Sequence, residues 1–448
     1  MTASAGHRPH TAVIGAGVVG LLSAWQLRLS GHAVTVIAPD AGRDASYAAA
    51  GMLAPVSEVQ YGQDELWPLM TASRAEYPGF LTTLARAVET PTGYRENGTI
   101  LLAADRSDRD AVADLVGVQQ AHGMEVAPLT SRELRSREPS LAPGLAKAWN
   151  VPSDHQVDPR QLLRCTVDAL NAELGSSERG SALAADLPDV GPPVTWVRAR
   201  AARVDAGPES ADVGSSASGA DTPAPAYTIT LEGGQTVTAE KVLIAPGLAY
   251  PEIAGLPEAA PLRLRPVYGD VLRLRGEPGN VHATVRAKVR GRSVYLVPRG
   301  PESTDGDGGL VVGASSREDG LAGTHAGSVQ ELLDDAVAVL PAVKDMELAE
   351  ITTRARPGTP DDRPYLGALE GHPGVVVSTG FSRHGILLAP LAARLSAALL
   401  NSEKLGERDA GMLESMALDR REHTHHSRRS PKAPFEIRAE KNAHCQHQ

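Results

Sequence analysis

The hydrophobic pattern is densest near the N-terminus. Two apolar runs, Thr11–Ile14 and Ala33–Ala38, read as buried strands, and between them Val18–Ser30 has the length and composition of a helix stopped by Gly31. Strand, helix and strand within about 30 residues predict a β-α-β unit. Helical patterns over Phe80–Val88 and Arg109–His122, with a strand at Gly98–Ala103 between them, take the chain away from that unit. WVRARAARVDA (196–206) and KVLIAPGLAY (241–250) read as a return to it. VYLVPR (294–299) and LVVGAS (310–315) are strand patterns on either side of PESTDGDGG (301–309), which reads as a mobile hairpin tip.

Between the first strand and its helix lies IGAGVVG, with Gly15, Gly17 and Gly20 in the G-x-G-x-x-G spacing. Gly15 permits the tight turn, Gly17 lets backbone approach a pyrophosphate, and Gly20 lets helix and strand pack closely. The free N–H groups of the helix start then face the phosphates. Thr11 to Leu27 is uncharged and follows Arg8, the outline of a signal peptide or anchor, but the glycine spacing favours a soluble nucleotide fold. The ribose-binding carboxylate belongs at the end of the second strand, where this chain has Ala38, Pro39 and then Asp40. Asp40 is expected to reach the ribose from two residues later, or a water to replace it. An exchangeable NAD would feel the loss of a charge-assisted hydrogen bond, worth roughly 1.5–3 kcal/mol; a flavin buried along its length tolerates it. Arg43, placed to meet a 2′-phosphate, keeps a non-catalytic NADP-binding protein open as an alternative.

With 448 residues, 42% of them hydrophobic, the chain is long enough for two or three lobes. A net charge of −10 leaves no overall footprint for nucleic acid or an anionic membrane, so an anionic substrate must be met by local arginines. Cys165 and Cys445 are the only cysteines and lack metal-type spacing, which argues against a disulfide framework or zinc site and fits a reducing cytoplasm. No metal site is expected. The Gly-, Ser- and Pro-rich stretch 206–226 reads as a disordered insertion, and the basic, His-rich end from Arg420, with HTHH at 423–426, as a solvated tail.

Downstream, DASYAAAGMLAP (44–55) combines with the glycine loop into something more specific. These residues resemble the glycine oxidase branch of the D-amino-acid oxidase-like FAD enzymes, which supply a glycine imine for thiamine thiazole synthesis. The resemblance continues in order through SDHQVDPRQLL (153–163), RPVYGDVLRLR (265–275), VYLVPR, LVVGAS, RARPGTPDDRPYLG (354–367) and STGFSRHGILLAP (378–390). It implies an α/β fold: an FAD-binding Rossmann-like domain of the glutathione-reductase type with an α+β substrate domain built on an antiparallel sheet. The implied division gives 10–95, 156–255 and 351–402 to FAD binding, 96–155 and 256–350 to the substrate domain, and 420–448 to the tail. Noncovalent FAD is implied, held by Gly15, Gly17, Val18, Val19, Gly20, Ala38, Asp40, Ser46, Ala50, Gly51, Met52, Val204, Gly247, Ser382, Arg383, His384, Gly385, Ile386 and Leu387.

Arg356 and Arg383 lie in apolar or glycine-rich surroundings, where an unpaired guanidinium is costly. Read from the residues alone, a substrate clamp and a structural pair of Arg356 with Asp361 or Asp362 are equally open. By the resemblance the two arginines bind the substrate carboxylate, Tyr295 assists by hydrogen bonding and Met52 lines the cavity. The block at 378–390 reads as a loop feeding a helix near Gly385, whose N-terminus would stabilise a reduced flavin. The implied reaction is oxidative deamination of glycine, with sarcosine and small D-amino acids as further substrates, oxygen as acceptor and hydrogen peroxide as product. No side chain need act as a base; orientation and electrostatics carry the step. A dehydrogenase using another acceptor, and an interaction scaffold, are the rival readings. His384 in place of asparagine and Ala-Pro-Gly at 245–247 depart from the family pattern, while His155 is given a positioning role beside a helix cap at Asp158-Pro159. The resemblance also implies a homo-oligomer, a tetramer, and a hand-off to a thiazole-forming partner.

Overall fold

The computed structural model describes residues 7–174, 178–187, 189–207, 226–277, 279, 281–300, 303 and 309–420. Most of the segments read as a disordered insertion (206–226), a hairpin tip (301–309) and a tail (420–448) lies outside the described residues.

The opening unit is β1 (His10–Ile14), α1 (Val18–Leu29) and β2 (Ala33–Ile37). The strands pair in parallel from His10↔Ala33 to Ile14↔Ile37. Both are nearly continuous apolar runs because both of their faces are covered, as parallel strands require. Helix α1 ends at Leu29 with Ser30 as its C-cap, and Gly31 takes a positive φ of 91° to turn the chain into β2.

Around β1 the chain assembles a six-stranded sheet in the order Tyr365–Leu369, His372–Thr379, Lys241–Ile244, β1, β2, Thr195–Val197. All pairings are parallel except that of the first two strands. The chain therefore returns three times to the sheet it left after β2. Helix Gly385–Leu400 packs against α1, and the two belong to one apolar cluster with Trp25, Leu66 and Leu243.

An eight-stranded sheet, mostly antiparallel, forms the second layer system, in the order Glu347–Gly358, Arg265–Arg275, Gly309–Gly313, Arg292–Arg299, Thr284–Val289, Thr99–Ala103, Lys147–Val151, Ala127–Leu129. Alternation along its strands sorts the side chains. Leu272, Leu274, Leu296, Leu310 and Val312 pack with helix Ala326–Val339, while Val271, Val297 and Val311 pack with Ala50, Met52 and Ala54 from the parallel-sheet side. Arg299 Nη2 donates to the Ala50 carbonyl at 2.6 Å and Arg273 Nη2 to that of Tyr47 at 3.1 Å, so the same face grips the backbone of residues 47–50. One expected boundary needs correction: strand Glu347–Gly358 lies wholly in the eight-stranded sheet, because its backbone is paired with Arg265–Arg275 along its length, so the crossing back to the parallel sheet comes after Gly358 and not at 351.

Candidate active site

A cavity of about 970 Å³ runs between the two sheets from the glycine loop to the inner face of the eight-stranded sheet. Its nucleotide end is made of backbone. Gly15 has φ +105°, and a Cβ there would lie 2.3 Å from the Ala245 carbonyl oxygen. A Cβ on Gly20 would lie 2.0 Å from the Gly15 oxygen, so this glycine lets the helix seat on the turn. At Gly17 a Cβ would meet nothing nearer than Ser46 Oγ at 3.5 Å. That open space, on the cavity wall beside the start of α1, is where a pyrophosphate fits and where a side chain would intrude. Ser46 Oγ accepts from the Val18 amide at 3.0 Å and steadies the same turn.

These features pass the test for FAD that residues can provide: a glycine cradle at a helix start, a long cavity, and a second helix, Gly385–Leu400, whose first residues Gly385 and Ile386 line the cavity farther on. Gly15, Gly17, Val18, Val19, Ala38, Asp40, Ser46, Ala50, Gly51, Met52, Gly247, Ser382 and Arg383 line it as well. Gly20, Val204, His384 and Leu387 do not. Gly20 is turned against Gly15, Val204 and Leu387 are buried in apolar clusters, and His384 is 2% exposed at the cap of the second helix. The side chains of Val204, His384 and Leu387 therefore do not line the cavity, and Gly20 shapes the turn instead. Cys165 is buried away from the cavity in the cluster around α1.

The acid-binding end is made of side chains. Arg356 and Tyr295 both line the cavity. The Arg356 guanidinium has one hydrogen bond among the described residues, from Nη1 to the Ser315 carbonyl at 3.4 Å, and no carboxylate within salt-bridge distance. Asp361 is engaged by Arg363 and Arg420, and Asp362 accepts from Gln63 at 2.8 Å, so the structural pairing that the sequence left open is excluded. Burial, with Arg383 nearby, lowers the Arg356 pKa from its ordinary value. For Tyr295, burial reinforced by Glu58 raises the phenol pKa against the pull of Arg356, which keeps a neutral hydroxyl able to donate.

Two strand glycines make this arrangement possible. A Cβ on Gly269 would lie 2.3 Å from Arg356 Nη2, and one on Gly313 would lie 2.3 Å from the Tyr295 hydroxyl. Gly313 is the register partner of Tyr295; Gly269 lies diagonally across from Arg356, whose own partner is Val267. Each glycine is the floor on which a long side chain lies.

Arg383, 39% exposed at its side chain, stands 3.8 Å from Glu58, a residue that the sequence reading missed. Glu58 is buried, lines the cavity, and is bound by Arg286 Nη1 at 2.5 Å. Burial opposes its charge, but Arg286, with Arg383, outweighs burial and holds its carboxyl below the usual range. His384 Nδ1 lies 3.6 Å from Glu58. Burial, assisted by Arg383 and Arg286 and opposed by Glu58, depresses the imidazole to about 4, so the ring is neutral. Met52 lines the cavity and packs in the core at once. His155 is buried between Arg74 and Tyr94, away from the cavity, while Asp158 caps its helix by accepting from the Arg160 amide at 2.9 Å, with Pro159 in the first turn.

Residues 10–399 match the protein family described as FAD dependent oxidoreductase. The glycine oxidase of Geobacillus kaustophilus strain HTA426 is 30% identical over 406 residues, covering 89% of this chain and 94% of that protein. The Bifunctional protein ThiO/ThiG of Nostoc sp. strain PCC 7120 is 30% identical over 409 residues; the match spans 88% of this chain but only 52% of the length of that relative. Among solved structures, glycine oxidase from Geobacillus kaustophilus superposes with a TM-score of 0.72 at 27% identity, covering 89% of this chain and 96% of that one.

Proposed function

The chain belongs to the FAD dependent oxidoreductase family, and from that premise we propose that it oxidises glycine to its imine, which hydrolyses to glyoxylate and ammonia. The single observation that carries the choice of an amino acid is Arg356: a guanidinium on the cavity wall with no carboxylate of its own, awaiting one from a substrate. The 30% identity to a full-length glycine oxidase supports the smallest member of that class. FAD, when bound, supplies a two-electron acceptor for the Cα–H hydride and passes the electrons to oxygen, giving hydrogen peroxide.

The chain itself contributes position and charge. Arg356 takes the carboxylate on the Gly269 floor, Arg383 closes on it from the start of the second helix, and the Tyr295 hydroxyl donates a hydrogen bond. The N-terminus of helix Gly385–Leu400 adds a positive field at the cavity, favouring negative charge on whatever is reduced there. No His, Cys or Ser constellation is needed for proton abstraction. With Cys165 outside the cavity, FAD is held noncovalently, and Asp40 serves its ribose. We assign the imine to a thiazole-forming partner, a role that the similarity to bifunctional ThiO/ThiG proteins supports, and the assembly to a cytoplasmic homotetramer.

Peroxide release by the purified yellow protein with glycine, sarcosine, D-alanine and D-proline in parallel tests the reading. Fastest release with glycine is the expected result. Bleaching by glycine under anaerobic conditions without peroxide in air would replace oxygen by another acceptor, and preference for a bulkier amine would remove glycine as the substrate.

A further inference from the structure

We infer that Glu58 is a specificity-determining residue of this cavity: by occupying Arg286 and drawing on Arg383 it leaves one open guanidinium for one carboxylate, and so excludes amino acids that carry a second acid on nitrogen. The inference rests on the amino-acid oxidase reading of the site.

Of the guanidinium groups that line the cavity, Arg286, Arg356 and Arg383 are the three that feel the buried carboxylate of Glu58. They are not equivalent. Arg286 is bound to Glu58 at 2.5 Å, Arg383 is shared at 3.8 Å, and Arg356 has only the Ser315 carbonyl. Arg286 sits opposite Tyr295 in the register of adjacent strands, so it is beside the group expected to touch substrate. The carboxylate that silences it is firmly held. The Glu58 amide donates to the Ala54 carbonyl at 3.2 Å, and buried Asp154 accepts from the Val56 and Ser57 amides, also at 3.2 Å each. A second acid on the substrate would have to reach Arg286 against the charge of Glu58 at close range, where like charges repel strongly and water screens poorly. Removing that charge frees a cation already pointed into the cavity.

The test uses the FAD-loaded protein and two unreactive probes, glycolate with one acid and oxydiacetate with two, titrated by the change in flavin absorbance. Wild type should bind glycolate more tightly than oxydiacetate. Glu58→Gln should shift the ratio toward oxydiacetate by about tenfold or more, the scale of one charge-assisted pair. The double variant Glu58→Gln/Arg286→Gln should return the ratio to the wild-type value, and a general loosening of the site would not. Should Glu58→Gln fail to fold, Arg286→Gln alone decides: its freed carboxylate should engage Arg383 and weaken glycolate binding, and unchanged glycolate affinity overturns the inference. So does a wild type that already prefers oxydiacetate, or a ratio unmoved by Glu58→Gln. Glycine turnover on the same preparations separates the two claims. Turnover with an unmoved ratio removes the role of Glu58 alone, whereas no turnover of any amino acid by wild type removes the reading beneath it.

Discussion

Gly15, Gly17 and Gly20 shape one end of the cavity within a few consecutive residues, whereas Glu58, Arg286, Tyr295, Arg356 and Arg383 reach the other from separate strands and turns. The first end works by what is missing: a Cβ at Gly15 or Gly20 would collide with backbone, and one at Gly17 would intrude on open space beside the start of α1. The second works by how charge is divided among groups that the two sheets bring together. Steric exclusion by backbone is local and tolerant of neighbouring side chains. A charge partition is non-local, and each member depends on the others. The nucleotide end should therefore survive most single substitutions at the acid end, and the converse should fail.

The strongest test of that separation is Arg356→Met. It removes the buried cavity guanidinium that has only the Ser315 carbonyl as a hydrogen-bond partner among the described residues, and loss of such a partner costs about 2–5 kcal/mol, so kcat/KM for glycine should fall on the order of 10²–10³-fold. FAD affinity, measured by fluorescence on the same protein, should be unchanged. Coupled loss of flavin would mean that the two ends are one structural unit.

The same division explains what could be read from the chain. The β-α-β unit, its stop at Gly31 and the glycine loop were legible because their causes lie within a stretch of consecutive residues: apolar runs, a helical length and a G-x-G-x-x-G spacing. Arg356, Arg383 and Tyr295 were legible only through the resemblance to a family, and the cavity holds all three. Glu58 carried no signal, since it sits in an ordinary apolar-polar stretch and its meaning comes from Arg286, far along the chain. Gly269 and Gly313 looked like unremarkable strand glycines; their purpose appears once register sets them beneath Arg356 and Tyr295. The side chains of Val204 and Leu387 turn into apolar clusters; motif proximity says nothing of side-chain direction, which the pleat and helix rotation decide.

A pH titration sharpens the contrast at the acid end. His384 is neutral in the folded protein, with its pKa depressed to about 4 by burial and by Arg383, whereas an unfolded histidine titrates near 6.5. The unfolded chain thus takes up the proton first. Its contribution to stability is complete above about pH 6.5 and is lost as pH falls toward 4, by up to about 3 kcal/mol. In His384→Asn that component is gone. The stability difference between variant and wild type, from urea midpoints at pH 7, 5.5 and 4.5, should move in favour of the variant as pH falls. A constant difference across the series would show that the imidazole does not titrate between the two states.

The smallest effect belongs to the nucleotide end. Ala38 follows β2 where an acid usually stands, its amide donating to the Val197 carbonyl at 3.1 Å, and Asp40 lines the cavity two residues on, exposed. A carboxylate open to solvent exchanges one partner for another at little net gain, so its bond to a ribose is worth less than the same bond in a dry site. In the proposed reading FAD would, moreover, be held through the glycine cradle and along the rest of the cavity. Asp40→Asn should therefore raise the FAD dissociation constant by less than about tenfold, within roughly 1 kcal/mol, and leave kcat for glycine unaltered. A much larger rise would mean that the ribose contact anchors the cofactor after all, and that the nucleotide end, like the acid end, hangs on one charged side chain.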